Sequence, residues 1–226
     1  MVMRFGLAVA MLMLTGSVPL AAQAPAAPTA RVEGNAVAHP GDPALTISVP
    51  EGATYVGSER FMLYGVADCE IHLFVEADAG RRVRRFWWVQ FEGYLPSRPE
   101  LRYTYGEKDQ RIELWGAPMW ESARFGPTNT RPRAGSDGER VRMMLARAGY
   151  TRPPNMMNVR LVRLLDDPAG SGYGRRELML IYAEDMAPAG TTPEELTTDG
   201  APNARWAPLE QALIARAAKS FRVEAR

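Results

Sequence analysis

Glu70, His72 and Phe74 alternate along "EIHLFVEAD", and Phe86, Trp88, Gln90 and Glu92 alternate along "RRFWWVQFEGYL". Side chains two apart on a strand project from the same face. Two neighbouring strands could therefore gather three rings, an imidazole, an amide and two carboxylates on one surface. Rings stack on the apolar faces of a ligand, and the polar edges take its hydroxyls or amides. These seven residues form the candidate ligand-binding set, as a platform for a glycan or peptide. The competing reading is packing: under a helix the same rings become core.

Other chemistries have weaker support. G-x-S-x-G is absent, and Ser136 in "AGSDG" is one residue out of frame. Only His39 and His72 could serve as a triad base, and no serine stands out as a partner. Two histidines and a single cysteine, Cys69, exclude a conventional zinc ligand set, so no metal is expected. Cys69 reads as a small apolar filler. "GSGYG" at 170–174 precedes a strand rather than a helix, so it reads as a hairpin connection and not a phosphate cradle. Asp166 and Asp167 are turn formers before Pro168. Glu194 and Glu195 suit the first turn of a short helix begun by Thr192 and Pro193. No cofactor is expected, and no catalytic residue is assigned.

The elements that would position the platform can be read from periodicity. "AGRR" contains Gly80 and joins the two alternating segments as a β-hairpin. A three-residue loop, Ala79 to Arg81, predicts pairs whose numbers sum to 160: Asp78 with Arg82, Glu76 with Arg84, Phe74 with Phe86 and His72 with Trp88. Opposite charges and aromatic pairs coincide in that register. Before the hairpin, "LTISV" and "ERFMLYGV" read as strands. After it, "LRYTY" and "RIELW" suggest a second hairpin around "GEKD", and residues 116–135 suggest a long irregular loop. Ser136 and Glu139 form a capping box before Val141, Met144, Leu145 and Ala148, with Gly149 as the stop. "MNVRLVRLL" and "RELMLIYAE" read as two long strands. "PLEQALIARAAKS" is a final amphipathic helix with Leu209, Ala212, Leu213 and Ala217 inward, and "FRV" closes as an edge or added strand. The expected fold is a single α+β domain over 44–226, with a mostly antiparallel sheet, a mid-chain helix and a C-terminal helix.

Residues 1–22 read as a cleavable signal peptide. Arg4 precedes the apolar run "FGLAVAMLML", and "TGSVPLAAQA" supplies small residues for cleavage. The run is about half the roughly 20 apolar residues a membrane span needs. Residues 23–43, rich in Ala and Pro, read as a mobile linker that includes His39. No cysteine lies near the cleavage site, so the protein is not expected to be a lipoprotein. Periplasmic or extracellular location follows, with no stable membrane anchor after cleavage.

Charge argues against nucleic acid. Without Arg4 the chain carries 26 basic and 26 acidic groups, so no net field steers it to a polyanion. Lysine occurs only at Lys108 and Lys219. The dense arginine of "RRVRRFWWVQF" is then a background trait of a GC-rich bacterial genome. The functional expectation is an exported, non-catalytic α+β module that binds a ligand or an envelope partner. The alternatives are a carboxylate-based hydrolase acting on a glycan or other envelope substrate, and a structural subunit of an envelope assembly.

Overall fold

A computed structural model describes residues 26–107 and 109–226. The expected signal peptide, 1–22, lies outside the described residues. In chain order the elements are β1 (Arg31–Glu33), β2 (Ala36–His39), β3 (Leu45–Ser48), β4 (Thr54–Leu63), β5 (Ala67–Ala77), β6 (Val83–Tyr94), β7 (Tyr103–Thr104), β8 (Gln110–Leu114), β9 (Ala117–Pro127), α1 (Asp137–Arg147), β10 (Asn155–Leu164), β11 (Tyr173–Gly174), β12 (Arg176–Asp185), β13 (Thr197–Thr198), β14 (Ala201–Pro202), α2 (Trp206–Ser220) and β15 (Arg222–Ala225).

Seven strands pair in the order β4-β5-β6-β12-β10-β9-β8, every neighbour antiparallel. The order joins two meanders side by side. Both faces of this sheet are covered, which is why its central strands are apolar in consecutive positions rather than in alternate ones. One face carries Ile71, Leu73, Val75, Trp88, Trp120 and Met179 beneath Val141, Met144 and Leu145 of α1. The other carries Phe74, Trp87, Val89, Phe91, Leu161 and Leu180 beneath Trp206, Leu213 and Ala217 of α2. A second sheet, β1-β2-β3-β15, supplies Val37, Leu45, Ile47 and Val223 to that same core. The chain is thus a single α+β domain with mostly antiparallel sheets, a mid-chain helix and a C-terminal helix, as the periodicity requires.

The helix signals act locally. Ser136 is extended, and its hydroxyl accepts the Glu139 amide. The Glu139 carboxylate reaches back to the Gly135 amide at 2.7 Å. Such a cap contributes about 1 kcal/mol. On α2, Leu213 and Ala217 face inward as expected and Leu209 packs at the margin. Ala212 does not: it is exposed. Trp206, which opens α2, is buried instead.

Three other expectations give way. The first is the spacer. Residues 31–39, expected to be mobile, form β1 and β2, and β2 pairs with β3 along its whole length. The buried Val37 is the apolar contact that holds them. The second is the hairpin around "GEKD". β7 pairs with β11, while β8 pairs with β9. The crossover between β6 and β8 is pinned by Arg175, whose guanidinium donates to the carbonyls of Leu95, Arg98 and Leu101. The third is the long loop, of which Ala117–Pro127 is β9, with Met119 and Trp120 buried on opposite faces.

The "GSGYG" connection does join β10 to β12, but it is packed. Asp167 accepts the Ser171 hydroxyl and the Gly172 amide, and Asp166 accepts the amides of Arg175 and Arg176. At Gly172, φ is +86°, and a Cβ would stand 2.6 Å from the Tyr105 carbonyl oxygen. Gly172→Ala is therefore expected to cost about 1–2 kcal/mol, read as a lower urea midpoint with an unchanged slope. An unchanged midpoint would show that the turn relaxes freely.

Candidate functional site

The hairpin loop forms as expected, but the strands beyond it do not keep their register. The Arg81 amide donates to the Asp78 carbonyl, the Asp78 amide donates to the Arg82 carbonyl, and Arg81 sits at φ +59°. Ala77 pairs with Val83, as a sum of 160 requires. Glu76 then pairs with Arg85, not Arg84, and every later pair is displaced: Phe74 faces Trp87, and His72 faces Val89. Arg84 is the extra residue of a β-bulge. The cause is packing: the bulge lets Val83 stay on the α1 face together with Phe86 and Trp88.

The bulge divides the seven candidates between the two faces. Glu70, His72 and Phe74 lie on the α2 face, and Phe86, Trp88, Gln90 and Glu92 lie on the α1 face. His72 and Trp88 are therefore not neighbours. All seven are buried except Phe86, which is half-buried. They do not form one open platform.

Glu70 and His72 instead make an anchor. Glu70 accepts the Thr29 amide and hydroxyl at 2.7 Å each, the Ala30 amide at 2.8 Å and His72 Nε2 at 2.9 Å. Burial alone would raise its carboxyl, but the hydrogen bonds from His72, Thr29 and Ala30 outweigh it and bring it down to about 2. His72 Nδ1 lies 3.4 Å from the Tyr55 hydroxyl, giving a Tyr-His-Glu line. Four donors on one carboxylate tie the segment before β1 to β5. His39 stacks on Phe91 at 3.8 Å beside this anchor.

Trp88, Gln90 and Glu92 belong to a second network, while Phe86 packs beside them in the apolar layer. Trp88 Nε1 donates to Gln90 Oε1, Gln90 Nε2 to Glu92 Oε2, and the Tyr103 hydroxyl to Glu92 Oε1. Directly opposite Glu92 on β12 is Glu177, 4% exposed, which receives the Tyr105 hydroxyl at 2.7 Å. Burial, and then the adjacent Glu92, push the Glu177 carboxyl up to about 8. Burial also raises Glu92, with the Tyr103 and Gln90 bonds opposing. Two acids on neighbouring strands meet a hydrolase's need for a carboxyl pair. Nevertheless both are buried, Glu177 at 4% and Glu92 at 9% exposure, and the Tyr103 and Tyr105 hydroxyls occupy them. Cys69, on the same face, is fully buried, and burial pushes its thiol up.

An open site lies at the bulge instead. A cleft of about 610 Å³ is lined by Arg82, Arg84, Arg85 and Arg216, by Glu76, Glu184 and Asp185, and by the apolar side chains of Met157, Pro188 and Leu209. Arg85 donates to Glu76 at 2.9 Å. Arg216 grips Glu184 with two bonds, at 3.0 and 2.5 Å, and the Tyr182 hydroxyl adds a third at 2.6 Å. Arg82 leans on Asp78 at 3.6 Å, and Asp185 takes the Ala187 amide. Among the described residues Arg84 has no acidic partner within 4.0 Å. Every acid of the cleft is engaged, and one guanidinium is left over.

Sequence reasoning missed this site because a bulge is set by distant packing. One signal was present: of the arginines in "RRVRR", only those at 81, 82 and 84 were given a place by the loop and its pairs, and Arg85 had no acid. The structure exchanges Arg84 and Arg85 in those roles. No three of the described His, Cys, Asp and Glu residues gather as a metal-binding group. No described helix is long and apolar enough to cross a membrane. Compared with known proteins, the chain matches no family model, and no curated protein or solved structure shows significant similarity to it.

Proposed function

We propose that the protein is an exported, non-catalytic binding module whose arginine cleft takes an amphipathic anion: a carboxylate, phosphate or sulfonate head on an apolar body. The observation that carries this is Arg84 at the bulge, which has no acidic partner among the described residues and lines a cleft with an apolar wall. A guanidinium presents a planar fork of donors that matches such heads. Met157, Pro188 and Leu209 offer apolar surface to the body. The remaining charged groups are engaged, in ion pairs or, for Asp185, by the Ala187 amide, and arginine does not give up its proton near neutrality. That arrangement holds charge rather than transferring a proton. Export rests on the apolar run at 5–14 with Arg4 before it.

The test uses 8-anilinonaphthalene-1-sulfonate, with N-phenyl-1-naphthylamine as the same ring system lacking the sulfonate. The folded protein is expected to bind the sulfonate in preference, with affinity falling as salt rises. Arg84→Ala should weaken binding about tenfold, the loss of one charge-assisted hydrogen bond, and Arg84→Glu should weaken it further. Equal affinity for the two dyes, or an unchanged sulfonate affinity in Arg84→Glu, would overturn the proposal.

A further inference from the structure

A second pocket lies on the α2 face at the other end of the long sheet. Its volume is about 400 Å³, and it is lined by Gln110, Glu121, Ala123, Ala207, Glu210, Gln211 and Ile214 among others. Gln110 and Glu121 are directly paired on β8 and β9. Ala207, Glu210, Gln211 and Ile214 come from α2. Among the described residues, two carboxylates and no cationic side chain line it.

The decisive group is Glu121. It is 5% exposed, and its buried Oε2 has no hydrogen-bond partner. Leaving a buried acceptor unmade costs about 1–3 kcal/mol, more when it is charged. The other buried carboxylates are all engaged: Glu70 by four donors, Glu92 by two, Glu177 by Tyr105 and Glu184 by Arg216 and Tyr182. Burial raises the Glu121 carboxyl, and the charges of Glu210 on α2 and Asp109 before β8 raise it further. Asp109 is itself paired with Arg160 at 2.7 Å. No cationic group among the described residues meets Glu121 from β8, β10 or α2.

We propose that this pocket binds a primary alkylammonium group, with the ammonium on Glu121 and Glu210 and the carbon chain along Ala123, Ala207 and Ile214. An ammonium brings three donors and a positive charge to the Glu121 oxygen, which has no partner among the described residues. The pocket is far larger than a single metal ion needs. The aliphatic wall then favours an organic cation. Because the ligand needs Glu121 ionised, binding should tighten as pH rises through the titration of that carboxyl, which burial displaces upward.

Calorimetric titration tests this with 1,4-diaminobutane, n-butylamine, butane-1,4-diol and calcium chloride at pH 5.5 and 8. The two amines are expected to bind, and the diol and calcium are not. Amine affinity should be greater at pH 8 than at pH 5.5. Glu121→Gln should cut it tenfold or more with the fold retained by circular dichroism, since the carboxylate has no partner to lose. Glu210→Gln, at the helix surface, should cut it less. Binding of calcium in place of amine, amine binding without pH dependence, or full affinity in both variants would overturn the proposal. Should Glu121→Gln lose its fold, the wild-type pH dependence and Glu210→Gln still decide.

Discussion

Replacing Glu177 with glutamine is expected to stabilise the protein at pH 8 by about 3 kcal/mol. Glu177 is a buried carboxyl on β12, facing Glu92 on β6, and its carboxyl stands at about 8 against an ordinary 4.5. The folded chain therefore holds a proton there that the unfolded chain releases above 4.5. Stability is full below that value, declines as pH rises, and is lost once pH passes about 8. Glutamine keeps an acceptor for the Tyr105 hydroxyl and turns an amide toward Glu92, with no charge to bury. Urea midpoints from pH 5 to 9 measure the effect. The wild type should lose stability across that range, and Glu177→Gln should lose much less. Parallel profiles would show that water or movement of the Tyr105 segment already relieves the charge.

The opposite sign is expected at Glu70. Its carboxyl lies at about 2, below the ordinary 4.5, because hydrogen bonds from His72, Thr29 and Ala30 outweigh the burial that would raise it. Its contribution is complete above 4.5 and is lost as pH falls through about 2. Glu70→Ala is expected to cost about 3 kcal/mol at neutral pH, since it strands buried donors that had one common acceptor. It should also release the segment before β1. Hydrogen exchange at the Thr29 and Ala30 amides is the direct readout: protection should vanish in the variant while the amides of β10 and β12 keep theirs in order. Loss of stability with those two amides still protected would mean that the segment is held by other contacts. Taken alone, the two acids weaken the fold on opposite sides of 4.5, Glu70 below it and Glu177 above it.

Much of the fold was legible because its signals are local. The Ser136 and Glu139 box starts α1 where the spacing requires, and the turn residues after Leu164 return the chain to β12. The three-residue loop at 79–81 likewise follows from its own composition. β9 was hidden because it carries Met119 and Trp120 to opposite faces and has Pro118 and Gly126 near its ends, which removes alternation and imitates a loop. β1 and β2 were hidden because Val37 is the only fully buried residue between 31 and 39, too little apolar content to be read as strand without its partner.

The sequence by itself determined the class: antiparallel strands, one capped helix mid-chain and one at the end, and an apolar N-terminal run with the look of an export signal. Those follow from periodicity, caps and turn residues, each felt within about one turn or one strand. Only the tertiary structure decided which residues share a face. A single extra residue in a strand reverses the side of everything beyond it, and the packing of Val83 against α1 places that residue at Arg84. From that one displacement come the separation of His72 from Trp88 and the guanidinium at the cleft without an acidic partner among the described residues. Local periodicity carries no record of it, because the energy that selects the bulge comes from a helix more than fifty residues away in the chain.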